Sequence, residues 1–175
     1  TAMSAVQPLS AKLSRLKPGA PFNGGKSVLV VEDSRAVREL LCGYLRQIGG
    51  FGIEIAGTLG ETRRLLDQNP ERFFCAALDL NLPDAPDGEV VDYVLSRSVP
   101  AIVLTGSAEN AVRERMMAKS IVDYVVKQNS YEIEHVAYLI GRLRENRATK
   151  ILVVDDSRSF RAYLVSLLER YFFHV

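Results

Sequence analysis

Apolar residues fall along this chain in two alternating patterns. Some are short unbroken runs, such as Val28-Leu29-Val30-Val31, Phe73 to Leu78 and Ala101-Ile102-Val103-Leu104. Such runs suit strands buried on both faces. Others recur at helical spacing, as in Val37, Leu40, Leu41, Tyr44, Leu45 and Ile48, or Ile133, Val136, Leu139, Ile140 and Leu143. These suit amphipathic helices with one inward stripe. The pattern predicts strands over 27–31, 53–56, 73–78, 100–104 and 123–126. A helix is predicted after each: one ending at residue 48, one with Leu65 and Leu66 on its inner face, then 89–96, 110–119 and 130–144. Ser34 stands where the first helix needs an N-cap, and Gly49-Gly50 ends it. Thr58 with Glu61 has the spacing of a capping box. Strict strand–helix alternation with apolar strands implies an α/β fold with a parallel sheet and helices on both faces. Five units are too few for an eight-stranded barrel, so an open, doubly wound, five-stranded parallel sheet is expected.

Sheets of this kind bind ligands at the carboxyl ends of their strands. There the sequence places Glu32 and Asp33 after the first strand, Asp79 after the third, Thr105 after the fourth and Lys127 after the fifth. Three carboxylates on one edge repel one another, and one lysine cannot neutralise them. A hard divalent cation can, and an all-oxygen donor set suits Mg²⁺. A dinucleotide or flavin-phosphate site would need a glycine-rich loop after the first strand. Glu32 and Asp33 occupy that place and would repel a bare phosphate.

Composition narrows the class without naming a chemistry. The net charge of +1 argues against a strongly basic nucleic-acid binder and against an acidic solvating chain. No apolar stretch approaches the about 18 residues that a membrane-crossing helix needs. Two cysteines, Cys42 and Cys75, cannot make a disulfide framework and lack metal-ligand spacing. A cytoplasmic protein is expected, and no secretory signal is visible.

The strand-end residues together resemble the receiver domain of bacterial two-component response regulators. The resemblance covers roughly Lys26 to Arg144 and rests on Val31-Glu32-Asp33-Ser34, Asp79, Thr105 and Tyr124-Val125-Val126-Lys127 in order. It implies the flavodoxin-like receiver fold and a switch that takes a phosphoryl group from a histidine kinase or histidine phosphotransfer protein. Asp79 is then the phosphoacceptor. Glu32, Asp33, Asp79 and the backbone carbonyl of Asn81 are the implied Mg²⁺ ligands. Lys127 pairs with Asp79 or the phosphoryl group, Thr105 hydrogen-bonds the phosphoryl, and Tyr124 changes exposure on switching. Asn81 and Ser107 flank the phosphoryl group. A receiver of this kind is not itself a conventional enzyme.

Several residues depart from the family pattern. Gln128 stands where proline usually follows the lysine, Glu32 replaces the commoner aspartate, and Gly106 replaces a small alanine after Thr105. A degenerate receiver serving only as a dimerisation scaffold is the alternative reading. An aspartyl-phosphate phosphatase would need an acid two residues after the nucleophile, and Asn81 cannot serve.

The chain also repeats itself. Val28 to Ile48 realigns with Ile151 to Tyr171 at an offset of 123, with nine of 21 pairs identical. Asp155 and Asp156 fall opposite Glu32 and Asp33 as a second acidic pair. The expected organisation is a mobile tail over 1–25, with a helical segment between Leu9 and Leu16 as its alternative, then a receiver over 26–144 and a linker over 145–149. The first strand and helix of a truncated second receiver follow over 150–175. Its helix is expected from Ser157 to Arg170, and a second strand from Phe172. Such a fragment would dock on a receiver surface or exchange between chains. A homodimer would form through that fragment or through the 110–144 face, where Arg113, Arg115, Lys119 and Asp123 are candidates for contact. Tandem receivers in this family often precede a diguanylate cyclase, so the resemblance suggests cyclic-di-GMP synthesis as the output, with DNA-binding and kinase outputs as its alternatives. No contact of this chain with nucleic acid or membrane is expected.

Overall fold

The computed structural model describes residues 25–175. The tail expected over 1–25 therefore lies, but for its last residue, outside the described residues.

The chain folds in the order β1 (Ser27–Val31), α1 (Arg35–Ile48), β2 (Gly52–Ala56), α2 (Leu59–Gln68), β3 (Phe73–Leu78), α3 (Glu89–Ser96), β4 (Ala101–Thr105), α4 (Asn110–Met117), β5 (Asp123–Val126), α5 (Ser130–Asn146) and α6 (Arg158–Arg170). A 3₁₀ turn over Pro70–Arg72, which the sequence pattern does not predict, leads into β3. The strands form one parallel sheet in the order β2-β1-β3-β4-β5. β1 has its sequence neighbour β2 on one side and β3 on the other. The winding therefore reverses at β1, and the crevice where ligands bind opens beyond the carboxyl ends of β1 and β3.

The unbroken apolar runs are explained by two cores, one on each sheet face. Side chains alternate across a strand. Val28 and Val30 pack with Leu41, Leu45, Val136 and Ile140 of α1 and α5. Leu29 and Val31 pack with Leu66, Val90, Val94 and Met116 of α2, α3 and α4. Fully burying such a side chain contributes about 1.5–3 kcal/mol. β3 is buried along its whole length, and it carries Asp79 at its end. Cys42 and Cys75 are buried free thiols, and burial pushes both thiol pKa values up.

Some local expectations need correction. Ser34 begins α1 but its side chain makes no capping bond. Instead its N–H donates to Glu32 Oε1 at 3.1 Å. Thr58 does cap α2, accepting from Glu61 N at 3.1 Å. The Glu61 carboxylate accepts from Gly57 N at 2.7 Å, one residue earlier than a capping box requires. α4 stops at Met117 rather than residue 119, and α5 runs on to Asn146.

Beyond α5, residues 150–175 make α6 but no strand. A single parallel bridge joins Lys150 to His174. A strand needs a partner ladder, and one isolated bridge does not supply it. The segment folds back onto the amino-terminal end of the sheet. Phe172 meets Phe74 edge to face at 5.3 Å, and Asn146 Nδ2 donates to Tyr171 O at 2.9 Å. A groove of about 570 Å³ runs between the segment and the body of the sheet, past Val99, Val122 and Arg170.

Candidate functional site

The ends of β1 and β3 are fixed by backbone bonds. Glu32 N donates to Ala56 O at 2.9 Å, and Asp79 N to Val31 O at 2.8 Å. These bonds carry the ladder one step past each strand and bring the two acids together. Carboxylate oxygens of Glu32, Asp33 and Asp79 all lie within 4.8 Å of one another. Glu32 and Asp79 are buried, at 2% and 6% exposure, whereas Asp33 is open to solvent.

Lys127 joins the site from the end of β5. Its Nζ donates to Asp79 Oδ2 at 2.6 Å and to Glu32 Oε2 at 2.9 Å. Burial drives the Glu32 carboxyl pKa up, and Lys127 only partly opposes it. Burial pushes the Lys127 ammonium down, but its bonds to Asp79 and Glu32 outweigh this and leave it above its ordinary value. The ammonium therefore stays charged and pinned between two carboxylates. The long side chain of Glu32 explains the pinning. One oxygen takes the lysine while the other takes Ser34 N.

Gln128 does not disturb this arrangement. All described peptide bonds are trans, and Gln128 N turns back onto Val126 O at 3.0 Å. Asn129 then starts α5 with a capping box, its side chain accepting from Tyr131 N and Glu132 accepting from Asn129 N.

Thr105 ends β4, fully buried, and its hydroxyl accepts from Ser107 N at 3.1 Å. The Tyr124 ring is turned inward, 5% exposed, and its hydroxyl donates to Ser107 O at 2.9 Å. One residue of the β4–α4 loop thus touches both the threonine and the tyrosine. Burial holds the Tyr124 phenol above its ordinary pKa. Asn81 reaches the site through its backbone, its N–H donating to Asp79 Oδ1 at 3.3 Å. A cleft of about 390 Å³ opens alongside, lined by Asn81, Ser107, Gly106 and Arg115.

Other candidates lie elsewhere. Arg115 donates to Asp87 O at 3.2 Å, and Lys119 pairs with Asp92. Both cations face α3 and its preceding loop. Asp123 accepts from Tyr124 N at 2.8 Å. Asp155 accepts from Ser157 N at 2.8 Å, so the second acidic pair sits on a formed turn with no third carboxylate beside it among the described residues. Sequence reasoning missed Asp84. Its carboxylate accepts from Leu59 N at 2.8 Å and Gly60 N at 2.9 Å, tying the loop after Asp79 to the start of α2. Its separation of 25 residues from Leu59 hides that bond from any local pattern.

A model of the response regulator receiver domain family matches residues 28–137. The chain belongs to that family. It is the receiver domain of a two-component response regulator, a phosphoaccepting switch. A response regulator receiver protein of Anaeromyxobacter sp. (strain Fw109-5) is 38% identical over 45% of this chain and 32% of its own length. The transcriptional regulatory protein GltR of Pseudomonas aeruginosa is 28% identical over 86% of this chain and 62% of its own. The chain thus spans about a third to three fifths of these relatives. A two-component response regulator/GGDEF domain protein of solved structure is 33% identical, with a TM-score of 0.79 over 86% of this chain and 60% of that one. The phosphorylated cyanobacterial phytochrome response regulator RcpA, at 23% identity and a TM-score of 0.61 over 71% of this chain and 96% of its own, shares the fold. No helix among the described residues is long and apolar enough to cross a membrane.

Proposed function

We propose that Asp79 is the phosphoacceptor, and that Glu32, Asp33, Asp79 and the Asn81 carbonyl hold Mg²⁺ beside it. The observation that carries this reading is the bridge of Lys127 between Asp79 and Glu32, with Asp33 completing a three-carboxylate cluster. The donor set is all oxygen, with Glu32 and Asp79 buried and Asp33 open to solvent, which fits a hard cation that keeps waters.

An Asp79 oxygen attacks the phosphorus of a phosphohistidine on a kinase or phosphotransfer partner. A P–O bond forms, the P–N bond breaks, and the imidazole leaves with the bonding pair. Bound Mg²⁺ would supply charge neutralisation to the transferring phosphoryl oxygens. Lys127 gives the same oxygens a fixed ammonium. Thr105 offers a hydroxyl from the neighbouring strand end. When Thr105 turns to the phosphoryl group, its bond from Ser107 N is given up. Ser107 is also the acceptor of the Tyr124 hydroxyl, so loop and ring respond together. The added negative charge then shifts a two-state equilibrium in this loop.

Beyond residue 149 we read the start of a second receiver, supported by the repeat and by α6. Similarity to response regulator/GGDEF proteins supports a cyclic-di-GMP output elsewhere in the full protein. The 110–144 face and the 150–175 segment are the surfaces for self-association. The scaffold alternative is weakened by Lys127, which keeps its aim at Asp79 despite Gln128.

The test is incubation with acetyl phosphate and Mg²⁺, read by intact mass. Wild type gains one phosphoryl group, and Asp79→Asn gains none. No gain in wild type, where a control receiver labels, would favour the scaffold.

A further inference from the structure

We infer that Arg38 is a positioning residue that clamps the acidic β1–α1 loop, and that Arg161 does the same in the second copy. This deepens the reading of the Asp79 site and rests on it.

The internal repeat sets the two loops at equivalent positions. Arg38 and Arg161 fall at the same repeat position and are among the identical pairs. Arg38 reaches back six residues, its Nη1 donating to Glu32 O at 3.3 Å. Arg161 reaches back six residues, its Nη1 donating to Asp155 O. Each carbonyl belongs to the first acid of its pair. The turn beneath is also reproduced, with Ser34 N on the Glu32 carboxylate and Ser157 N on the Asp155 carboxylate. The second loop has this geometry without a phosphoacceptor strand beside it. The clamp is therefore local to the β–α unit and is not imposed by Asp79 or Lys127.

The carbonyl so held connects Glu32 to Asp33, which is exposed and receives no hydrogen bond to its side chain from Arg38. Fixing this peptide fixes where the Asp33 carboxylate points. Groups that orient metal ligands from behind typically change metal affinity by about tenfold or more when removed. Arg38 also lies near the place a side chain at Gly57 would fill, with its Nη1 3.8 Å from that position. It thus spans from the β1 end to the β2 end.

The sign of the effect separates positioning from bulk charge. Deleting a cation near an acidic cluster strengthens binding of Mg²⁺ by Coulomb attraction alone. Loss of a clamp weakens it. The test is calorimetric titration of the full chain with MgCl₂, alongside the Mg²⁺-dependent rise in thermal midpoint. Arg38→Ala is expected to bind about tenfold more weakly, and Arg38→Lys more weakly than wild type by a smaller factor. Arg35→Ala, which removes an exposed cation from the same helix, should bind equally or more tightly. Equal or tighter binding by Arg38→Ala would overturn the inference, as would equal weakening by Arg35→Ala. If Arg38→Ala does not fold, the Arg38→Lys comparison decides. Wild type that binds no Mg²⁺ would overturn the metal reading and this inference together, whereas Mg²⁺-binding wild type with unaltered Arg38 variants overturns this inference alone.

Discussion

Among single residues, Glu32 does the most unexpected thing. Its commoner counterpart is a shorter aspartate, and the extra methylene lets it meet Lys127 and Ser34 N at once. Burial raises its pKa above the ordinary 4.5. Just above that pH the unfolded chain has released more of this proton than the folded one. Stability from this group therefore falls as pH rises through the window just above 4.5. Lys127 acts at the other end of the scale. Its raised pKa gives stability that is full below 10.5 and lost as pH climbs through the folded value. Urea unfolding of wild type and Glu32→Gln from pH 4.5 to neutrality should show wild type losing ground to the variant as pH rises. A constant difference across that range would refute the assignment. The acids and the lysine were legible because strand ends mark the ligand edge. Their pairing was not, since Glu32 and Lys127 are 95 residues apart.

Among elements, helix α2 shows what periodicity cannot carry. Thr58 and Glu61 announce the start of α2 from sequence, and the structure agrees about the threonine. The remaining N–H groups of the first turn are met by Asp84, from the loop between Asp79 and α3. Carboxylates favour helix amino termini because unpaired N–H groups and the helix dipole converge there. The bonds from Gly60 and Leu59 hold the Asp84 pKa below 3.8. Its contribution is thus present above that pH and is lost as pH falls through the folded value. Asp84→Ala should lower the thermal midpoint at neutral pH, and the difference should shrink as pH drops below 3.8. An equal deficit at all pH values would assign the effect to loop packing instead. The same loop bears Asn81, so Asp84 holds the rim of the site as well as the helix. Strand positions and their parallel pairing followed from apolar runs and alternation. Helix ends drifted by a few residues because caps depend on partners that lie far along the chain, as with Asp84.

Across the whole molecule, the repeat and the fold disagree at one position, and that position explains how residues 150–175 are held. At the offset of 123, Phe172 replaces Gly49. Both adopt left-handed backbone, with φ of 68° and 69°. At Gly49 that conformation carries no side-chain penalty, whereas an L-residue there costs about 1–2 kcal/mol. Phe172 N bonds Glu169 O at 2.9 Å and Phe173 N bonds Leu168 O at 3.1 Å, closing α6 in a turn that normally asks for glycine. The strain is retained because the ring is used. It meets Phe74 edge to face, and the Arg147 guanidinium lies 4.8 Å from one ring centroid and 5.2 Å from the other. Phe74 is at the opposite end of β3 from Asp79, so the segment leaves the Asp79 edge of the sheet open. The other face of the segment is bare: Leu152 and Val154 are 87% and 82% exposed, where their counterparts Leu29 and Val31 are wholly buried. Docking is carried by the Phe172 ring with Phe74 and Arg147, alongside the Asn146 bond to Tyr171 O, and loss of the ring should loosen it. Phe172→Gly removes about 1 kcal/mol of backbone strain but forfeits the partly buried ring's contacts with Phe74 and Arg147. Hydrogen exchange should then quicken throughout α6 while β1 and β3 keep their protection, and Asp79 should label with acetyl phosphate as in wild type. If α6 instead gained protection in Phe172→Gly, backbone strain would outweigh the aromatic contact, and the joint would owe its order to Asn146 and Tyr171.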